Sequence, residues 1–132
     1  MATSTGLSVE VLLGTFALHG VAHVVRAVTP PLTLLAGGLF LAVMVAVLAA
    51  CWRGHQVALA TAALGVLTVV ALTTVHLVPM WGRLSEPWRG AEVHPVWWVT
   101  LWLALAGALW ATTAASHELV SRPVAAAPPP RR

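Results

Sequence analysis

The sequence lacks most of the polar residue types on which enzyme chemistry depends. It has no Lys, Asp, Asn or Tyr, and its 132 residues include only four acidic residues and a single cysteine. Charged residues make up 8% of the chain, whereas an ordinary soluble domain has about a quarter. The lone Cys51 excludes an intramolecular disulfide and a CxxC redox pair. The composition therefore excludes an ordinary soluble domain and predicts a protein without enzymatic activity of its own.

Positive charge is also sparse. The formal net charge is only +3, and the arginines are scattered along the chain instead of forming the basic stripe that follows a phosphate backbone. We therefore predict no nucleic-acid partner. Hydrophobic residues make up 59% of the chain and the mean hydropathy is +0.88, so the lipid bilayer is the expected environment.

Four apolar stretches are long enough to cross a membrane, which takes about 20 helical residues for ~30 Å of hydrocarbon. They are Leu7–Val28, Pro31–Trp52, Gln56–Trp81 and Pro95–Ala115. Because backbone polar groups must be paired inside lipid, these stretches predict helices. We expect an all-α integral membrane protein whose residues 1–117 form a compact four-transmembrane-helix bundle with up-down-up-down topology. The Ala/Pro/Arg-rich residues 118–132 are predicted to be a disordered tail.

Arginine placement suggests an orientation for this bundle. With four spans, both termini and the second loop share one face of the membrane. That face holds Arg53, Arg122, Arg131 and Arg132, and the other holds Arg26, Arg83 and Arg89. The positive-inside rule then places both termini in the cytoplasm, and we expect the membrane to be the plasma membrane of a bacterium.

Small and aromatic residues predict how the helices pack and where they end. The small residues expected to bring helices together are Ala104 with Ala108, Gly107 with Ala111, the Gly37–Gly38 pair, Gly14 and Gly20. The tryptophans expected to anchor span ends at the membrane interface are Trp52, Trp81, Trp88, Trp97 and Trp98. We expect the loop 82–94 to lie in the headgroup layer, with Glu86 and Glu92 solvated.

Histidines within the spans are the most informative feature, because ionisable groups in hydrocarbon are costly and usually face the bundle interior. The first span carries His19, His23 and Arg26 on one helical face together with Thr15. The third span carries Thr73, His76 and Met80 on one face, and the fourth begins directly after His94. The topology brings all of these to one side of the membrane. Similar segments around His23 and His76 suggest two weakly related hairpins, in which these two residues would face each other.

Such a cluster suits several ligands. Haem b would take His23 and His76 as axial ligands, while copper or zinc would be bound by His76 with Met80 or by His19 with His23. Arg26 would then neutralise a haem propionate, a lipid head group or a quinone oxygen. The structural alternative is that these histidines only form hydrogen bonds with carbonyls, threonines or interfacial water. The sequence identifies no carboxylate that would orient a ligating imidazole.

Three functions follow from these observations. The first is an accessory or scaffold subunit of a membrane complex, packed against a membrane-protein partner or a second copy of the chain. The second is an electron-transfer protein that binds haem or a transition metal through His23 and His76, with His19, Met80 and His94 as alternates. The third is a small transporter that works through Glu10 and the region of Arg26.

Overall fold

The computed structural model describes residues 4–26, 30–52, 55–80, 82–88 and 93–121. These contain four helices: α1 (Ser4–Arg26), α2 (Pro31–Ala50), α3 (His55–His76) and α4 (Pro95–Ser121). Each helix includes a segment long and apolar enough to cross a membrane. The predicted all-α four-helix bundle is therefore confirmed, and the four helices indicate an integral membrane protein.

Helix α3 ends at His76, before the predicted end of its span at Trp81. The backbone amides of Leu77 and Val78 both donate to the carbonyl of Thr73, at 2.9 and 3.1 Å, and the second bond, which spans five residues, closes the end of the helix. Pro79 follows, and its ring cannot continue a helix. Hydropathy alone does not detect this ending, because the residues after it are still apolar.

Helix α4 continues past the predicted span end at Ala115 and ends at Ser121. A helix needs no hydrocarbon to continue, since its backbone groups are paired within the helix. The part of α4 beyond the predicted span includes the polar residues His117 and Glu118. The rest of the predicted tail, residues 122–132, lies outside the described residues.

Helix α4 forms the centre of the bundle, because α1 and α3 both pack along its length. Its buried residues are Leu101, Ala104, Leu105, Gly107, Ala108, Ala111 and Ala115. The predicted small-residue pairs on this helix therefore lie at helix contacts. Gly107 allows the closest approach to α1, since a Cβ there would clash with the side chain of Thr15. Gly65 does the same for α3, where a Cβ would clash with Thr112.

We expect Gly107→Leu to destabilise the bundle by about 1–3 kcal/mol, the usual range for overpacking a filled interior. The side chain of Thr15 would have to move away from α4. The free energy of unfolding in mixed micelles, titrated with a denaturing detergent, measures the change. Gly14→Leu is the matched control, because a side chain at Gly14 meets no atom within 4 Å. Equal stability of the two variants would contradict a close α1–α4 contact at Gly107.

Helix α2 packs more loosely than the other three. It buries Met44 and Leu48, both in its second half. The expectation that Gly14, Gly20 and the Gly37–Gly38 pair bring helices together is wrong, because an added Cβ at each would have no neighbour within 4 Å. The first half of α2 therefore packs less closely than its second half, and Phe40 at its end contacts Phe16 of α1 with ring centroids 5.4 Å apart.

Candidate metal centre

Three histidines meet at the end of the bundle where α1 and α3 terminate. His19 and His23 lie one turn apart on α1, and His76 is the last residue of α3. All three are buried, with exposed fractions of 3%, 7% and 2%. Nε2 of His19 lies 3.1 Å from Nε2 of His23 and 3.2 Å from Nε2 of His76. His19 and His23 from the face predicted on α1 thus form one cluster with His76 of α3.

The opposite ring nitrogen of each histidine lies near a different oxygen. Nδ1 of His76 is 3.2 Å from the backbone carbonyl of Glu86, and Nδ1 of His23 is 3.4 Å from Oε2 of the same residue. Nδ1 of His19 is 3.4 Å from the hydroxyl of Thr100. That hydroxyl already donates to the carbonyl of Trp97 at 2.8 Å, which makes it an acceptor toward His19. Every Nδ1 therefore faces a group that accepts a hydrogen bond.

These contacts favour one tautomer of each neutral ring. Because the neighbouring oxygens accept, we assign the proton to Nδ1 in His19, His23 and His76, which leaves a lone pair on each Nε2. Nitrogen lone pairs that approach to 3.1 and 3.2 Å repel one another unless a cation lies between them. This is the donor arrangement of ligating histidines, whose second nitrogen is usually oriented by a carboxylate or a carbonyl.

The loop after α3 folds back over the histidines. The amide of Glu86 donates to the carbonyl of Val75 at 2.8 Å, and the amide of Trp88 donates to the carbonyl of His76 at 2.9 Å. The last carbonyls of a helix have no partner within the helix, so the loop satisfies two of those at the end of α3. This pairing holds Glu86 and Trp88 directly beside the cluster.

Glu86 is therefore not solvated as predicted, since its side chain is only 14% exposed. Its Oε1 accepts a hydrogen bond from Nη1 of Arg26 at 3.0 Å, while Oε2 faces His23. Burial raises the pKa of Glu86, and the neighbouring Arg26 guanidinium opposes that shift. The structure thus places beside the histidines a carboxylate that the sequence did not identify, with Oε2 buried and accepting no hydrogen bond from the described residues. Arg26 pairs with Glu86 in place of the predicted ligand oxygen, because the loop brings a carboxylate within its reach.

Trp88 is not an interfacial anchor as predicted but a buried residue, with an exposed fraction of 2%. Its ring centroid lies 5.6, 5.7 and 4.6 Å from those of His19, His23 and His76. The guanidinium carbon of Arg26 lies 5.2 Å from the centre of the same ring. The indole thus covers one side of the cluster.

The remaining predicted site residues lie elsewhere. Met80 is 74% exposed, because α3 ends before it. His94 is also exposed, and its Nδ1 accepts a hydrogen bond from the amide of Val96 at 3.3 Å. Glu10 is exposed on α1. Glu92 lies outside the described residues.

The structure thus brings together His19, His23, His76 and Arg26 from the predicted set, and it adds Glu86 and Trp88. Comparison of the chain with known protein families, with curated proteins and with solved structures finds no match. The described residues hold a group of three histidines with the proximity of a metal-ion site.

Proposed function

We propose that this protein is a membrane metalloprotein that binds one zinc or copper ion through Nε2 of His19, His23 and His76. One observation carries the proposal: Nε2 of His19 lies 3.1 and 3.2 Å from Nε2 of His23 and His76, while each Nδ1 lies within 3.4 Å of an oxygen. A single shared proton would relieve the repulsion within one nitrogen pair, whereas a metal cation accepts all three lone pairs. Imidazole nitrogen is a common ligand of both metals.

The spacing of the nitrogens supports the same conclusion. Ligand distances of 2.0–2.1 Å around a tetrahedral zinc ion correspond to nitrogens about 3.3 Å apart. The observed separations of 3.1 and 3.2 Å are close to that value. The three ligand atoms all lie within 4.8 Å of one another, which is the proximity needed to share one ion.

Haem b is less compatible with this arrangement. Axial imidazoles point their nitrogens at the iron from opposite faces of the porphyrin. The rings of His23 and His76 instead stack face to face, with centroids 5.0 Å apart and an interplanar angle of 25°. This stacking leaves no gap for a porphyrin between the two residues, so the cluster favours a small ion.

The other two functions inferred from the sequence have less support. A proton-coupled transporter needs an embedded carboxylate, and Glu10 is exposed. The accessory-subunit function, with a membrane-protein partner or a second copy of the chain, remains a prediction, as do the bacterial plasma membrane and the cytoplasmic termini. Detergent extraction followed by identification of co-purifying proteins tests the accessory function.

Metal analysis of the purified chain tests the proposed function. We expect about one zinc or copper ion per chain, and tetrahedral Co²⁺ bands in the visible spectrum after exchange. The His94→Ala/His117→Ala double variant is the control, because it removes two exposed histidines and leaves the cluster intact. It should keep the same stoichiometry. A folded wild-type protein that binds neither metal nor Co²⁺ would overturn the proposal.

Glu86→Gln should weaken metal binding by about 10–100-fold, the usual effect of losing an orienting partner of a ligating histidine. The amide carries no negative charge to hold the Nδ1 proton of His23. Competition with a chromophoric chelator measures the affinity. Glu10→Gln makes the same chemical change at an exposed site of α1 and should have no effect. Equal affinities of the two variants would exclude the orienting role of Glu86.

A further inference from the structure

A cavity of about 550 Å³ lies beside the histidine cluster, between α1, α2 and α3. This volume falls within the ~300–1,000 Å³ range of small-molecule sites. Its walls are mainly apolar and include Phe16, Phe40, Leu41 and Leu72. His19, His23, His76 and Thr33 supply the polar side chains that line it. The cavity is therefore an apolar chamber with three imidazoles on one wall.

The two sides of the cluster differ in chemistry. Trp88, Glu86 and Arg26 cover one side, and none of the three lines the cavity. The other side opens into the cavity through the histidine rings themselves. An ion bound by three imidazoles has a fourth coordination position, which in catalytic zinc sites is left for water or substrate. Because the loop lies over one side of the histidines, the fourth coordination position would face the cavity on the other side.

The cavity opens toward lipid between α1 and the first half of α2. Val21 and Val24 of α1 line it and are 58% and 66% exposed. Leu34 of α2 also lines it and is 37% exposed. No residue of α2 between 31 and 41 is buried. In a membrane-spanning bundle, these exposed apolar side chains would face the bilayer.

We infer, on the basis of the proposed metal centre, that the cavity admits a lipid-soluble molecule from the bilayer. Its apolar body packs between α1 and α2, and its single nitrogen or oxygen donor occupies the fourth position of the ion. The apolar walls exclude a charged or strongly hydrated ligand, because its polar groups would lose water without gaining hydrogen bonds. The three histidines thus form the polar end of a site whose other end is lipid-like.

A pair of ligands with the same donor tests this inference on the full-length Co²⁺ protein in detergent. 1-Hexylimidazole and 1-methylimidazole offer the same nitrogen and differ in the length of the apolar tail. We expect the hexyl compound to shift the visible Co²⁺ bands at a concentration at least ~10-fold lower, because burial of methylene groups favours binding.

Variants that fill the cavity separate this effect from partition of the tail into the micelle. Gly37→Phe adds a ring to the cavity wall, where a Cβ meets open space. Ala71→Phe fills the cavity from α3, and it replaces Gly37→Phe in this experiment if that variant does not fold. In either variant the hexyl compound should lose its advantage while 1-methylimidazole still binds. Gly14→Phe, which adds the same ring outside the cavity, should retain the advantage.

The outcomes distinguish the two proposals. Equal half-saturation concentrations for the two imidazoles in the wild-type protein would overturn the lipid-soluble ligand and leave the metal centre standing. The lipid-soluble ligand would also be overturned if 1-hexylimidazole still bound at lower concentration than 1-methylimidazole in both cavity-filling variants. The hexyl tail would then lie in the micelle and not in the cavity. A wild-type protein that binds no Co²⁺ would overturn both the ligand and the metal centre.

Discussion

His19→Ala is expected to weaken metal binding by more than ~100-fold, because loss of an orienting partner alone already weakens it by about 10–100-fold. His19 would be the central ligand of the proposed site, since its Nε2 lies within 3.2 Å of both other Nε2 atoms. Without it, His23 and His76 stack against each other and offer an ion two donors. Isothermal titration with Zn²⁺ and the Co²⁺ visible spectrum both measure the loss.

The chain offers a matched control for this experiment. His94→Ala removes an exposed histidine at the same end of the bundle and should leave the affinity unchanged. Thermal unfolding of the metal-free proteins checks that His19→Ala still folds. If His19→Ala binds Zn²⁺ as tightly as His94→Ala, the three-histidine centre is wrong, and the cluster serves only packing and hydrogen bonding.

Trp88→Ala should destabilise the protein by about 3–5 kcal/mol, the usual range for deleting a large buried aromatic side chain. Trp88 is 2% exposed and packs against Trp98 with ring centroids 5.5 Å apart. Its removal leaves a void between the loop and the histidine rings. The free energy of unfolding of the metal-free protein in mixed micelles measures this effect independently of the ion.

Trp102→Ala provides the comparison, because Trp102 lies on α4 and is 55% exposed. We expect a change of less than ~1 kcal/mol there, as is typical for residues outside the core. A similar loss of stability in both variants would mean that Trp88 contributes no more than a lipid-facing indole. The folded arrangement of the loop over the cluster would then be incorrect.

Much of the fold is predictable from the sequence because the membrane restricts the choices. Apolar stretches of spanning length must form helices, and short connections make neighbouring spans antiparallel. That topology correctly predicts that His19, His23 and His76 lie at one end. Helix ends are less predictable, since α3 ends at His76 through backbone hydrogen bonds and Pro79 while the sequence stays apolar.

Sequence reasoning missed Glu86 and Trp88, the loop residues that lie over the histidine cluster. Glu86 and Trp88 belong to a loop without helical periodicity, and charged residues interleaved with Trp are also the composition of a segment in the headgroup layer. What distinguishes them is the pairing of their amides with the end of α3. The sequence contained one indication of Glu86. Arg26 is a charged residue near the end of a membrane span, and such a residue usually pairs with a carboxylate.

The hydrogen bonds between this loop and α3 link ion binding to local folding. The amide of Trp88 is bonded to the carbonyl of a proposed ligand, His76, and the side chain of Glu86 orients another. An ion present at 100 times its dissociation constant would stabilise the assembled state by about 2.7 kcal/mol relative to a state that does not bind it. Metal supply would thus set how often this end of the bundle opens, and amide hydrogen exchange at residues 86 and 88 would report it.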